Sequence, residues 1–174
     1  RTTMKKLLGL LALAIAGAAG YLAITPSPID PLAWQPQPAP LMTGVLEPND
    51  TLMKAELLAQ GQIHGPEDTA VDAQGRVYAG LHDGRVVRIA DGKIETFANT
   101  GGRPLGMDFD AQGNLVLADA YKGLLRIDPA GKIEVLASAA DGVPFAFTDD
   151  LDIASDGRIY FTDASSRFQQ PDYL

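Results

Sequence analysis

From residue 65 onward the sequence is written out more than once. Set GPEDTAVDAQGRVYAGLHDGRVVRIADGKIETFA (65–98) above RPLGMDFDAQGNLVLADAYKGLLRIDPAGKIEVLA (103–137). Pro66 then falls on Pro104, and Asp72-Ala73-Gln74-Gly75 on Asp110-Ala111-Gln112-Gly113, both 38 residues apart. Farther along, Gly84 falls on Gly123, and Gly92-Lys93-Ile94-Glu95 on Gly131-Lys132-Ile133-Glu134, 39 residues apart. A third copy opens with FTDDLDIASDGRIYFTD (147–163). A period of about 40 residues leaves two kinds of architecture, helical arrays and propeller blades.

Residue types choose between them. RVYAGL, RVVRIA, KIETFA, NLVLAD, LLRID and RIYFTD are short, β-branched or aromatic, and partly alternating. They are separated by DAQG, HDG, ADG, AYKG, PAG and SDG, which are hairpin turns by composition. No 3.6-residue apolar period is visible. Four short antiparallel strands per repeat make a propeller blade. The pattern predicts strands near 69–72, 76–81, 85–90, 93–98, 106–110, 114–119, 124–128, 132–137, 150–154 and 158–162. Propellers close with about 4–8 blades, so two and a half copies are expected to be the first part of a longer ring. AELLAQGQ (55–62) is expected to supply an outer strand to the closing blade.

Ahead of the repeats the chain is of another kind. Leu7–Ile24 carries no charge over 18 residues; Arg1, Lys5 and Lys6 precede it, and no acid appears before Asp30. This length suits a membrane span with its basic flank in the cytoplasm. A signal peptide cleaved near Ala16-Gly17-Ala18 is the alternative. Either reading puts the remainder outside the cytoplasm, in the periplasm or the extracellular or lumenal space. Seven of the 12 prolines then lie between Pro26 and Pro48, the composition of an extended spacer. The expected organisation is a signal anchor or signal peptide over 1–24, a proline-rich linker over 25–50 and the start of a propeller over 51–174.

Composition now narrows the chemistry. A net charge of −8 argues against nucleic-acid binding. With no Cys and two His, thiolate chemistry is excluded and His-rich metal sites are thinly supplied. Acids are abundant, 22 in all, and hard cations are their natural partners. In a propeller the innermost strands converge on the axis. The three expected inner strands open with Glu67-Asp68, Leu105-Gly106 and Asp149-Asp150. Carboxylates gathered there repel one another unless a cation lies between them. Glu67 and Asp149 are therefore candidate ligands of one divalent cation, while Asp83, Asp91 and Asp156 read as solvated turn residues. His64, just ahead of Glu67, is a weak candidate base. Phe145 and Phe147 read better as packing residues than as the rim of a substrate mouth.

The runs GPED…DGRVVRI, GRPLGM…GNLVLADAYKGLLRID and DGVPFAFTDDLDI…GRIYFTDASSRF…DYL resemble the strictosidine synthase-like proteins, in particular their membrane-anchored, adipocyte plasma membrane-associated type. The resemblance runs from Pro28 to the end. It implies an all-β fold, a six-bladed propeller akin to gluconolactonase (senescence marker protein) and the paraoxonases. It further implies that Glu67 binds a catalytic calcium ion. Asp149 stands where those relatives carry Asn as a second ligand, and Asp68 and Asp150 stand where paraoxonases hold a second, structural calcium. Leu105 replaces a paraoxonase His, so that family's His-based general base is not carried over. Three functions follow from the resemblance and the residues together: a calcium-dependent hydrolase of lactones or aryl esters, a strictosidine-synthase-like condensing enzyme, and a non-catalytic binding propeller. The expected partners are a small ester or lactone and, through the apolar segment, a membrane.

Overall fold

The computed structural model describes residues 2–25 and 32–173. The chain divides into two compact units, residues 1–50 and 51–174. Residues 26–31, which belong to the expected linker, lie outside the described residues.

The first unit opens with helix α1, Thr2–Ile24. Leu, Ala and Ile carry the helical propensity, and the Thr25 N–H closes the last turn on the Tyr21 carbonyl at 2.9 Å. Pro26 follows at once and disfavours a helical Thr25. Met4–Ile24 spans 21 residues, is long and apolar enough to cross a membrane, and has none of its length buried. Beyond it, residues 32–50 are exposed throughout and include one 3-10 turn, Gly44–Leu46.

The second unit is β-sheet. Strands β1 (Thr69–Val71), β2 (Val77–Gly80), β3 (Arg85–Ala90) and β4 (Lys93–Asn99) form one four-stranded antiparallel sheet in chain order. Strands β5 (Pro104–Phe109), β6 (Leu115–Asp119), β7 (Gly123–Ile127) and β8 (Ile133–Ala137) form a second of the same design. A two-residue hairpin, β9 (Ala139–Ala140) with β10 (Val143–Pro144), leads to the third pair, β11 (Thr148–Ile153) with β12 (Ile159–Asp163). The two full meanders and the opening pair are blades, in the places the repeat predicted. The β9–β10 hairpin was not foreseen, because its residues are outside the repeated pattern.

The repeated turn owes its form to one side chain. At the β1–β2 turn the Asp72 carboxylate accepts hydrogen bonds from the N–H groups of Gln74 (3.0 Å) and Arg76 (2.9 Å) and from the Tyr78 hydroxyl (3.1 Å). Asp110 does the same at the β5–β6 turn, accepting from Gln112 N–H at 2.9 Å and Asn114 N–H at 2.8 Å. Gly75 and Gly113 close these turns at φ of 77° and 78°, the left-handed conformation that favours glycine.

The blades pack face to face. Ala70, Tyr78, Val86 and Ala98 of the first meet Met107, Leu115, Leu117, Leu125 and Ile127 of the second in one buried cluster. Tyr78 is its centre, with Phe97 and Phe109 each edge-on at 5.1 Å between ring centroids. β5 touches both β1 and β11, so the three inner strands stand side by side.

Residues 55–62 depart from expectation: 55–57 have no regular structure, 58–62 are turns, and none is strand. Ala59 and Gly61 adopt φ of 55° and 73°, which an extended strand does not tolerate.

Candidate functional site

Adjacent residues of a regular strand point to opposite faces. Asp149 and Asp150 nevertheless open onto the same space, and the ladder explains how. Thr148 pairs with Asp163 and Leu151 with Phe161, so two residues of β11 oppose the single residue Thr162 of β12. β5 has the same irregularity: Pro104 pairs with Asp119 and Met107 with Leu117, leaving Leu105-Gly106 against Ala118. These are β-bulges, which re-aim side chains. Glu67-Asp68 holds the equivalent place directly ahead of β1.

The result is a cavity of about 430 Å³ lined by Glu67, Asp68, Gly106, Asp149 and Asp150. Four of its five lining residues are the acids singled out from sequence. Gly106 contributes by having no side chain. A Cβ there would lie 2.7 Å from the Asp150 Cα and 3.1 Å from the Asp149 carbonyl oxygen, closer than backbone permits.

The acids fall into two roles. Asp68 ties strands together: its Oδ1 accepts from Thr69 N–H at 2.7 Å and its Oδ2 from Met107 N–H of the next blade at 2.8 Å. Asp150 accepts from Leu151 N–H at 2.8 Å, and its own N–H donates to the Thr162 hydroxyl at 3.1 Å. Glu67 and Asp149 are the strained pair. Partial burial raises the Glu67 carboxyl above the ordinary carboxylate range; the nearby Arg103 charge opposes this, and Asp149, Asp150 and Asp68 reinforce it. Asp149 is raised by burial and then by Asp150. Oxygen donors under mutual repulsion form a set that fits a hard cation. Among the described residues no three His, Cys, Asp or Glu side chains stand together as a complete metal-binding group. Among the described residues the chain thus offers two carboxylates, Glu67 and Asp149, toward an oxygen set and no closed cage.

His64 is not among the cavity-lining residues. Its ring stands edge-on to His82 at 5.9 Å, and its carbonyl accepts from His82 N–H at 3.3 Å. Phe145 packs edge-on against Phe161 at 5.3 Å. Asp83 and Asp156 are engaged in turns with Arg85 and Arg158.

Sequence reading passed over three residues at this end of the blades. Asp119, fully buried at the end of β6, accepts from the N–H groups of Arg103 (3.0 Å), Tyr121 (3.0 Å) and Lys122 (3.2 Å). Asp163 repeats the device at the end of β12, accepting from Phe147 N–H at 2.7 Å. The shared signal was the Asp closing NLVLAD and RIYFTD. Arg103, 8% exposed, is the third residue passed over; nothing in a single Arg ahead of a Pro announces burial.

Comparison with known proteins agrees with this fold. Residues 44–89 match the family model described as strictosidine synthase-like, N-terminal. The adipocyte plasma membrane-associated protein of Rattus norvegicus is 40% identical over 173 residues, covering 89% of this chain and 46% of that protein. The strictosidine synthase-like protein 4 of Arabidopsis thaliana is 43% identical over 125 residues, covering 67% of this chain and 34% of its own length. The chain thus spans less than half the length of these curated relatives. Among solved structures, a gluconolactonase from Xanthomonas campestris superposes with a TM-score of 0.54 at 28% identity, over 58% of this chain and 35% of that one. By its repeats, its blades and these likenesses, the chain belongs with the strictosidine synthase-like proteins, and among them resembles the adipocyte plasma membrane-associated type.

Proposed function

We propose that this chain is the first part of a membrane-anchored, extracytoplasmic, calcium-dependent hydrolase of lactones or aryl esters. One observation carries the reading: Glu67 and Asp149, from different blades, share a cavity in which burial and neighbouring carboxylates hold both above the ordinary carboxylate range. That arrangement costs free energy in the metal-free protein, and a hard cation offsets it. Likeness to a gluconolactonase supports the substrate class.

In this reading Glu67 and Asp149 are the ligands this chain supplies, and Asp68 and Asp150 hold the inner strands that present them. A bound calcium ion supplies Lewis-acid polarisation of an ester or lactone carbonyl. The apolar helix and the membrane-associated relatives support anchoring through Leu7–Ile24, and the basic residues ahead of it support an extracytoplasmic domain.

The test is Glu67→Gln in the full-length protein, assayed by calorimetry with calcium and by turnover of aryl ester and lactone substrates. The substitution keeps shape and one oxygen but removes the charge. We expect calcium affinity and turnover to fall together, by about tenfold or more, with turnover partly restored at high calcium. Asp149→Asn should be milder because it restores the ligand type that the resemblance to gluconolactonase and the paraoxonases implies at this position. Asp156→Asn, at the β11–β12 turn, should change neither. Loss of turnover with unchanged calcium binding would overturn the metal role and favour Glu67 as an acid–base group, the chemistry of a condensing enzyme.

A further inference from the structure

Arg103 belongs to the second blade but is bonded to the first. It precedes β5 and is 8% exposed. Its backbone N–H is held by Asp119 at 3.0 Å, which fixes the residue to the end of β6. From there Nη1 donates to the Gly65 carbonyl at 3.0 Å, across 38 residues of sequence, and to its neighbour's carbonyl, that of Pro104, at 3.4 Å. Gly65 lies two residues ahead of Glu67. Among the described residues Nε of Arg103 is buried without a hydrogen-bond partner. Burying a guanidinium with one nitrogen unsatisfied is costly, so solvation of the side chain does not explain its place.

We infer that Arg103 is a positioning residue: its guanidinium clamps the Gly65-Pro66-Glu67 loop of one blade to the next and so sets where the Glu67 carboxylate stands in the cavity. This goes beyond the calcium reading, since it concerns the geometry of the loop with or without a metal. Its second consequence, on cation affinity, rests on that reading.

A simpler role competes: Arg103 as a counter-charge for an acidic cavity. The two roles predict opposite signs. A fixed positive charge beside a calcium site repels calcium, so removing a mere counter-charge strengthens binding. Removing a clamp lets the Glu67 loop wander and weakens binding, because ligand pre-organisation is lost.

The experiment uses the full-length protein with Arg103→Met and Arg103→Lys, followed by amide hydrogen exchange without metal and by calcium calorimetry. For Arg103→Met, exchange of residues 64–69 should quicken about tenfold, the size of one lost charge-assisted hydrogen bond. Exchange in β6 and β7 should stay as in the wild type, which a general loss of stability would not allow. Calcium affinity should fall about tenfold despite the removal of a repelling charge. Arg103→Lys keeps the charge on a single point donor in place of the planar fork. It should move both readouts in the same direction, by about threefold, and it decides the matter should the methionine variant fail to fold. Unchanged exchange at 64–69 in the lysine variant, or a rise in calcium affinity in the methionine variant, overturns the clamp. Absence of calcium binding in the wild type would overturn the metal reading alone, since metal-free exchange still decides the role of Arg103.

Discussion

At the scale of single residues, Glu67 and Asp149 tie stability to pH. Both carboxyls sit above the ordinary range in the folded chain, raised by burial and then by neighbouring acids. The folded state therefore holds their protons more tightly than the unfolded state does. Their favourable contribution is complete below the ordinary carboxylate range and is lost as pH rises through the raised values. Metal-free protein should thus be penalised at neutral pH, and Glu67→Gln should raise its melting temperature there by about 1–2 °C, a small effect because Glu67 is only partly withdrawn from solvent. Near pH ~4 the two proteins should melt together. Melting curves across this range check it; a variant less stable than wild type at neutral pH would contradict it. The same protons compete with a cation, so calcium affinity should begin to fall at a higher pH than ordinary carboxylates would give. These two acids were legible from sequence because they open equivalent strands. Arg103 was not, because its partner carbonyl lies 38 residues away and leaves no mark on local composition.

At the scale of strands and turns, most of the architecture could be read in advance. Asp72 and Asp110 show why: each turn is specified by a carboxylate collecting nearby N–H groups and by a left-handed glycine, all within five residues. Local chemistry of that kind survives in a linear pattern. The bulges do not, because they are defined by a partner strand, two residues against one. Alternation along TDDLDI alone would send Asp149 and Asp150 to opposite faces; only the pairing with Thr162 brings them to one cavity. Residues 55–62 failed for a related reason, since apolar content suggested a strand where Ala59 and Gly61 turn the backbone. The close approach of β5 to β11 yields a further prediction. Gly106→Ala puts a methyl 2.7 Å from the Asp150 Cα, where only backbone movement relieves it. It should cost about 1–3 kcal/mol in urea denaturation and weaken calcium binding by pushing β11 away from β5. Unaltered stability and affinity would show that the inner strands are not in such close register.

At the scale of the whole molecule, two kinds of chain meet at residue 50. The 23-residue α1 would extend about 34 Å, against a hydrocarbon core of about 30 Å. Removing residues 2–24 should move the full-length protein from the membrane pellet to the soluble fraction. Protease added to intact cells or spheroplasts should digest the β domain of the anchored form. Protection until lysis would reverse the proposed orientation. The three equivalent residue pairs, Glu67-Asp68, Leu105-Gly106 and Asp149-Asp150, finally, divide the labour between them. The second member of each pair is committed to the neighbouring blade: Asp68 accepts from Met107 N–H, and Gly106 lies against Asp150. The first member differs from blade to blade: Glu67 and Asp149 line the cavity, whereas Leu105 is buried. A lineage can therefore rewrite its chemistry one letter at a time at the first position while the second keeps the masonry intact. Rings with the same turns and seams can diverge in what they do, and kinship read from their turns is then a record of construction before it is a record of catalysis.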